Sequence, residues 1–301
     1  MRDGPAPPDG TPSEVTGGTA RAVRTRFAPS PNGPLHIGHA RTGVFNWILA
    51  RQCGGQYFVR FERTDRPREA PGARASMMED LGWLGLLGDE EPHDQVDLAD
   101  HHRGALNRLV EGGYTCADGD AVRFRVPAEG SVDWDDLVCG PVVVANEDLD
   151  DPVLVRSSGA PTFFLASTAD DIHDQVSDLI RPDVLLRASA KQLHIWEALG
   201  HRPPRIGHHP LMKRSGGQNV TAVTGDGSVR RLREAGIHPT ALVAYLAMPQ
   251  VASWKTTPVR LVEEVIERFD PRRVSRRPMA FDIRALEILN RRLAGGGRQR
   301  S

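Results

Sequence analysis

The most constraining feature of the chain is a Pro/Gly loop, Pro29-Ser30-Pro31-Asn32-Gly33-Pro34-Leu35, set between two regular segments. Ahead of it, Val23 to Ala28 alternates apolar and polar residues in the manner of a strand, which Pro29 and Pro31 stop. Behind it, Val44, Phe45, Ile48 and Leu49 recur at helical spacing within a run from about Ile37 to Gln52, and Gly54-Gly55 ends the run. Gln56 to Phe61 then reads as a second strand. Strand, loop, helix and strand in this order predict a βαβ unit, and therefore a parallel sheet with a right-handed crossover.

Such a loop leaves the carboxyl end of a strand and enters a helix N-terminus, where unpaired N–H groups and the helix dipole favour an anion. His36-Ile37-Gly38-His39 puts two imidazoles one turn apart at that point, each able to hydrogen-bond a phosphate oxygen. Gly38 between them leaves room for a purine against the backbone. The expectation is a nucleotide site.

Further along, about Ala70 to Leu84 and His101 to Glu111 have helical patterns, and Ala121 to Val155 breaks into short strands separated by Gly, Pro and Asp. Thr162 to Ser167 reads as a buried strand, Ser177 to Ile180 as another, and Ala188 to Leu199 as a helix. From Val229 onward everything reads as helical: Val229 to Ala235, Thr240 to Met248, Val259 to Phe269 and Ile283 to Leu293. The resulting division is a disordered leader over 1–22, an α/β domain over 23–224 with a mixed insertion at about 112–156, a helical domain over 225–293, and a basic tail over 294–301. The join falls near Gly225. The leader is rich in Pro, Gly and Thr and lacks the apolar segment of a signal peptide.

A formal net charge of -1 argues against a uniformly basic coat, though not against a local basic face. Cys53, Cys116 and Cys139 have no CxxC spacing and read as free thiols of a reducing compartment. No apolar run reaches the roughly 18 residues of a membrane span, so a soluble, cytoplasmic chain without membrane contact is expected.

Arg24-Thr25 is followed by RFAPSPNGPLHIGHARTGVFNW, which resembles the signature of the class I glutamyl/glutaminyl-tRNA synthetases, whose "HIGH" element is His36-Ile37-Gly38-His39. Arg60-Phe61-Glu62-Arg63-Thr64-Asp65 resembles the family's RIEDTD. Asp151 to Asp171, Lys191-Gln192, Arg233-Glu234-Ala235-Gly236, Ala241 to Ala247 and Phe269 to Asn290 align in the same order. The resemblance runs from Arg24 to about Leu293 and stops where the family's anticodon-binding domain would begin. It implies a Rossmann-type α/β fold with a small α+β insertion and a C-terminal all-α domain that contacts the tRNA stem. It further implies ATP and Mg²⁺, glutamate activated as its adenylate, and transfer to tRNA.

The resemblance also assigns residues. Catalysis would fall to His36, His39 and Lys213, and ATP would meet Pro29, His36, Gly38, His39, Lys213 and Arg214. Arg26 would hold the glutamate side-chain carboxylate with help from Ser30, Glu62 the ammonium, and Arg181 would be the second pocket arginine. Two contacts differ from the family's PTYxxxN, which here reads Phe163 and Ser167, so a phenol and an amide are lost. The family's lysine loop, KLSKR, corresponds to the shorter His208-His209-Pro210-Leu211-Met212-Lys213-Arg214-Ser215-Gly216-Gly217. The segment that holds zinc in many relatives keeps only Cys116, so no metal site is expected.

Nine arginines lie between Arg272 and Arg300, and Arg272, Arg273, Arg276 and Arg277 would meet tRNA phosphates. A monomer is expected. Two alternatives stay open within the enzyme class: a glutamyl-queuosine tRNA-Asp synthetase, which Asp65 to Ala73 resembles, and a biosynthetic paralogue. A third, of another class, is a non-catalytic RNA-binding paralogue.

Overall fold

Strand β1 (Arg24–Phe27) runs into the Pro/Gly loop, helix α1 (Ile37–Gln52) follows, and β2 (Gln56–Phe61) returns beside β1. The two strands are parallel, with Arg24 opposite Gln56 and Phe27 opposite Val59. The sharp return depends on Gly55: a Cβ there would sit 2.2 Å from the Val23 carbonyl oxygen, so only glycine lets the strand pass. A computed structural model describes residues 22–64, 69–213, 217, 227–247 and 261–295.

Helix α2 (Ala73–Leu84) leads to the short β3 (His93–Asp94), which pairs parallel with the far edge of β2, and then to α3 (Ala99–Glu111). The next stretch is antiparallel. Strand β4 (Thr115–Asp118) pairs with β5 (Ala121–Phe124), β6 (Ser131–Asp136) forms a hairpin with β7 (Gly140–Ala145), and β8 (Val153–Val155) closes on β5. Helix α4 (Phe163–His173), β9 (Asp178–Pro182), α5 (Leu186–Ala198) and β10 (Arg205–His209) restore the α/β alternation, with β9 and β10 parallel.

The β1–β2 and β9–β10 layers meet where Ser177 N donates to Arg24 O at 2.9 Å. Beyond that point, β9's free backbone groups are met by a side chain. Asn46 of α1 accepts from Ile180 N at 2.9 Å and donates to Ile180 O at 2.7 Å. The chain thus leaves β1 to one side through α1 and later returns on the other. That is the switch point at which open parallel sheets bind ligands, outside the carboxyl ends of the strands.

After β10 come β11 (Met212–Lys213), α6 (Val229–Glu234), α7 (Pro239–Ala247), α8 (Val262–Arg268), β12 (Met279–Ala280) and α9 (Ile283–Gly295). One buried cluster joins Ile37, Val44, Phe45 and Ile48 of α1 to Leu242, Tyr245, Val265 and Leu286 of the helical part. No helix among the described residues is long and apolar enough to cross a membrane.

Two expectations need correction. Thr162 to Ser167 is not a strand: Thr162 is the N-cap of α4, its Oγ1 accepting from Phe164 N at 3.3 Å, and Phe163 to Ser167 form the first turns of that helix. The segment after Val229 is not wholly helical, since β12 pairs parallel with β11. Strands β3, β10, β11 and β12 have no counterpart in the sequence pattern. Residues 1–21 of the leader over 1–22, the join near Gly225, Arg214, residues 65–68 and residues 296–301 of the tail over 294–301 lie outside the described residues.

Candidate functional site

The loop after β1 is held at both ends. Glu62 N donates to Pro29 O at 3.1 Å, while Ile37 N and Val229 N exchange bonds with Gly227 O and Leu35 O at 2.8 and 3.0 Å. This fixes the start of α1, whose N-cap is His36. The His36 Nδ1 accepts from His39 N at 3.4 Å, which leaves Nε2 to carry the proton and to donate outward. The two rings lie 4.0 Å apart, centroid to centroid. Burial, helped by the neighbouring imidazole, lowers His36 to about 3, and burial lowers His39 to about 4. Both rings are therefore neutral donors near neutral pH. His39 Nδ1 is buried with no hydrogen-bond partner among the described residues.

Beside this loop is a cavity of about 170 Å³ lined by Arg26, Pro29, Ser30, His39, Glu62, Phe163 and Arg181, together with Thr42, Pro182 and Leu185. Five of the six residues expected to hold the amino acid, Arg26, Ser30, Glu62, Phe163 and Arg181, drawn from four separate segments, therefore converge on one space. Ser167 does not line it. It is fully buried behind Arg26, whose Nη2 reaches its Oγ at 3.3 Å, because residue 167 lies on the inner face of a helix and not on a strand edge.

The charges around the cavity are unevenly satisfied. Arg26 makes a two-pronged bond to Asp171, Nε to Oδ1 at 2.5 Å and Nη2 to Oδ2 at 2.9 Å. Arg60, wholly buried, bonds Asp171 at 2.7 Å and Asp174 at 2.6 Å and lies 3.6 Å from Asp170. Asp170 in turn holds His102 and Gln95, each at 2.6 Å. Burial raises Asp171 but the two arginines outweigh it and hold its carboxyl below the usual carboxylate range.

Two groups stand outside this compensation. Among the described residues the closest cation to Glu62 is Arg60 at 3.9 Å, too far for a hydrogen bond, and burial pushes the Glu62 carboxyl up against the pull of Arg26 and Arg60. Among the described residues Arg181 has only neutral acceptors, Gln192 Oε1 at 2.7 Å and Ser189 Oγ, and its Nε is buried without a partner. Burial and the nearby Arg26 lower Arg181 to about 10, which still leaves it a cation at neutral pH. Among the described residues the cavity thus presents a carboxyl without a hydrogen-bonded cation and a guanidinium without a charged hydrogen-bond partner.

Lys213 stands on β11, its carbonyl accepting from Phe281 N at 2.7 Å, and does not line the cavity. Arg272 is ion-paired with Asp135 on the insertion hairpin, while Arg273, Arg276 and Arg277 are exposed. Sequence reasoning missed the support behind the pocket, namely Asp171, Arg60, Ser189, His208 and Asp136. Part of it was readable: Phe163, Ser167, Asp171 and Asp174 recur at helical spacing, which a strand over Thr162 to Ser167 conceals.

The model of the family "tRNA synthetases class I (E and Q), catalytic domain" matches residues 22–120 and 117–288. A glutamate–tRNA ligase 2 of Halorhodospira halophila is 34% identical over 89% of this chain and 65% of its own length. A glutamate–tRNA ligase of Caulobacter sp. is 37% identical over 90% of this chain and 65% of its own. The chain spans about 65% of the length of these curated relatives. The crystal structure of a glutamate–tRNA synthetase from Elizabethkingia anophelis shares the fold, with a TM-score of 0.80, 24% identity, and coverage of 89% of this chain and 70% of that one. So does that of a glutamate tRNA ligase from Elizabethkingia meningosepticum in complex with its amino acid, at 0.80 and 24% over 90% of this chain and 69% of that one. With the neutral histidine pair and the switch-point cavity on one face, the chain belongs to the class I tRNA synthetases of the E and Q type, in their catalytic domain.

Proposed function

We infer that this chain activates glutamate with ATP as glutamyl-adenylate and passes the glutamyl group to a tRNA. The observation that carries the reading is that Glu62 and Arg181, in one small cavity beside His36 and His39, both lack a charged hydrogen-bond partner among the described residues. A ligand with an ammonium for Glu62 and a carboxylate for Arg181 satisfies both, and nothing singly charged does. Arg26 keeps Nη1 for the same carboxylate, with Asp171 balancing its charge. Ser30 borders the same space. Relatives of this chain bear the name glutamate–tRNA ligase, which agrees with that choice of ligand.

In the reaction an α-carboxylate oxygen of glutamate attacks the α-phosphorus of ATP, and the bond to the bridging oxygen breaks as pyrophosphate leaves. A carboxylate is already nucleophilic, so the protein's part is to align it and to donate hydrogen bonds where charge gathers. His36 Nε2–H and the His39 ring supply such donors from the start of α1, and Pro29 and Gly38 leave backbone for the nucleotide to lie against. Lys213 and Arg214 would offer positive charge to the leaving pyrophosphate. Among the described residues no group of three or more His, Cys, Asp and Glu side chains is placed to hold a metal ion. Mg²⁺ would therefore enter on the phosphates with its waters, neutralising their charge. Arg272, Arg273, Arg276 and Arg277 would meet the tRNA backbone.

ATP–pyrophosphate exchange tests the reading, run with each of the twenty amino acids and with and without total tRNA. Glutamate-dependent exchange that His36→Ala abolishes is expected. Exchange with another amino acid would move the assignment through Phe163 and Ser167. No exchange under any condition would favour RNA binding without catalysis.

A further inference from the structure

Arg181 is aimed by a chain of side chains drawn from three elements. Its Nη2 donates to Ser189 Oγ on α5. That oxygen lies 2.5 Å from His208 Nε2 on β10, and His208 Nδ1 lies 2.5 Å from Asp136 Oδ2 at the end of β6. Ser189, His208 and Asp136 are all completely buried.

The direction of each hydrogen bond in this chain is fixed from its far end. Asp136 Oδ1 accepts from the amides of Val138, Cys139 and His208 at 2.9, 2.8 and 3.0 Å, and Oδ2 accepts from Trp134 Nε1 at 3.2 Å. Burial raises the Asp136 carboxyl, but these donors and His208 outweigh it and hold it well below the usual carboxylate range. An ionised carboxylate only accepts, so His208 carries its proton on Nδ1. Burial also lowers His208, against the pull of Asp136, which keeps the ring neutral and Nε2 an acceptor. The one hydroxyl proton of Ser189 then turns to Nε2 and away from Leu185 O, which is 3.0 Å off. The serine oxygen faces Arg181 with its lone pairs.

The chain ends in a neutral oxygen at Arg181. Asp136 acts two side chains away, so orientation is passed on while the guanidinium charge is left for a ligand. Arg26 differs: its direct carboxylate partner, Asp171, takes two of its donors.

We propose that Asp136, His208 and Ser189 are positioning residues that hold Arg181 in register with the carboxylate of the amino-acid substrate, and so set amino-acid affinity from outside the pocket. This rests on the glutamate reading above. The three residues reach the substrate only through Arg181, and one of them belongs to the antiparallel insertion, which gives the β6–β7 hairpin a part in the pocket.

The test uses the full chain in ATP–pyrophosphate exchange, with wild type, Ser189→Ala, Ser189→Thr and His208→Asn. Ser189→Ala removes the hydroxyl and His208→Asn keeps the reach to Asp136 but not to Ser189. Each is expected to raise KM for glutamate about tenfold, the effect of one lost hydrogen bond to a charged group, with kcat and KM for ATP changed about twofold or less. Ser189→Thr is expected to restore most of the glutamate affinity. An unchanged glutamate KM in Ser189→Ala would overturn the proposal. So would equal losses in both KM values and kcat that Ser189→Thr fails to rescue.

A second readout does not need activity. Long-range ¹H–¹⁵N spectra of the imidazoles at about pH 7 should show His208 as the neutral Nδ1–H form, and the Arg181 Nε–H signal should broaden in Ser189→Ala. A His208 ring protonated on Nε2 overturns the relay, as does an Arg181 signal indifferent to Ser189. Wild-type protein without exchange would sink the glutamate reading alone, and these spectra would then decide the relay by themselves.

Discussion

Glu62 and Arg181 occupy the same small cavity, yet among the described residues neither has a charged hydrogen-bond partner: Arg60 approaches Glu62 only to 3.9 Å, and Arg181 bonds neutral oxygens. Holding an incompletely matched charge out of water is costly, and a ligand that bears both an ammonium and a carboxylate would offset that cost. Removing the negative charge at Glu62 with little change of shape should therefore weaken amino-acid binding and spare ATP. For Glu62→Gln, loss of one charge-assisted hydrogen bond of about 2 kcal/mol predicts an approximately thirtyfold rise in KM for glutamate. Exchange kinetics at varied glutamate and varied ATP check it, and an equal rise for both substrates would contradict the assignment.

The histidines give a pH prediction whose sign can be worked out. In the unfolded chain an imidazole takes up its proton near pH 6.5, whereas folded His36 and His39 resist it down to about 3 and about 4, and burial lowers His209 to about 3 as well. Between these limits the unfolded chain binds more protons, so stability is greatest above about pH 6.5 and falls as pH drops towards 4. His39→Gln, which keeps a neutral polar side chain, should reduce the difference between urea midpoints measured at about pH 7.5 and about pH 5. An unchanged difference would show that this ring does not carry the effect.

At the scale of elements, α1 is the segment most openly written in the sequence, and α4 the least. Helix α1 has prolines ahead of it, paired glycines after it and apolar residues at helical spacing between, so its observed bounds are the expected ones. Helix α4 opens with Pro161-Thr162-Phe163-Phe164, aromatic residues that suit a strand, and its later turns bury Asp170 and Asp171, which look like a solvated loop until Arg26 and Arg60 are seen against them. Partners distant in sequence make those acids compatible with a core, and no local pattern announces them. The same holds for β10, where His208 and His209 are buried because Asp136 and Thr42 bond their rings. Strands of two residues, such as β11 and β12, have no period to read. Thr162 then becomes a testable cap. Its Oγ1 accepts from Phe164 N and donates to Val153 O at 2.5 Å, tying the start of α4 to β8. Thr162→Ala should cost about 1 kcal/mol of stability, read from urea unfolding, and should raise KM for glutamate modestly because Phe163, the next residue, lines the cavity.

At the scale of the molecule, the sequence predicts an α/β part followed by a helical part, but the way the two join is not legible in it. Helix α1 packs against α7 and α8 as well as against the sheet. Phe45 lies 5.1 Å from Phe269, centroid to centroid, and 5.1 Å edge-on from His209. Arg41, also on α1, is buried and donates to Leu246 O at 3.3 Å and Pro210 O at 3.2 Å, capping the carbonyl end of α7 from across the junction. A helix that starts at the phosphate loop and ends inside the helical part's core makes the two parts one structural unit. The loop histidines are therefore steadied by residues more than two hundred positions away. Leu242 of α7 is fully buried in the shared cluster, and its truncation leaves a cavity that the surrounding helices only partly close. Leu242→Ala should lower stability by about 2–5 kcal/mol, and it should do so in one transition, because no boundary in the core lets the helical part unfold alone. Far-UV circular dichroism and tryptophan fluorescence followed through the same urea titration measure this. Coincident curves that shift together are expected, whereas two separated transitions would mean that α1 does not couple the parts.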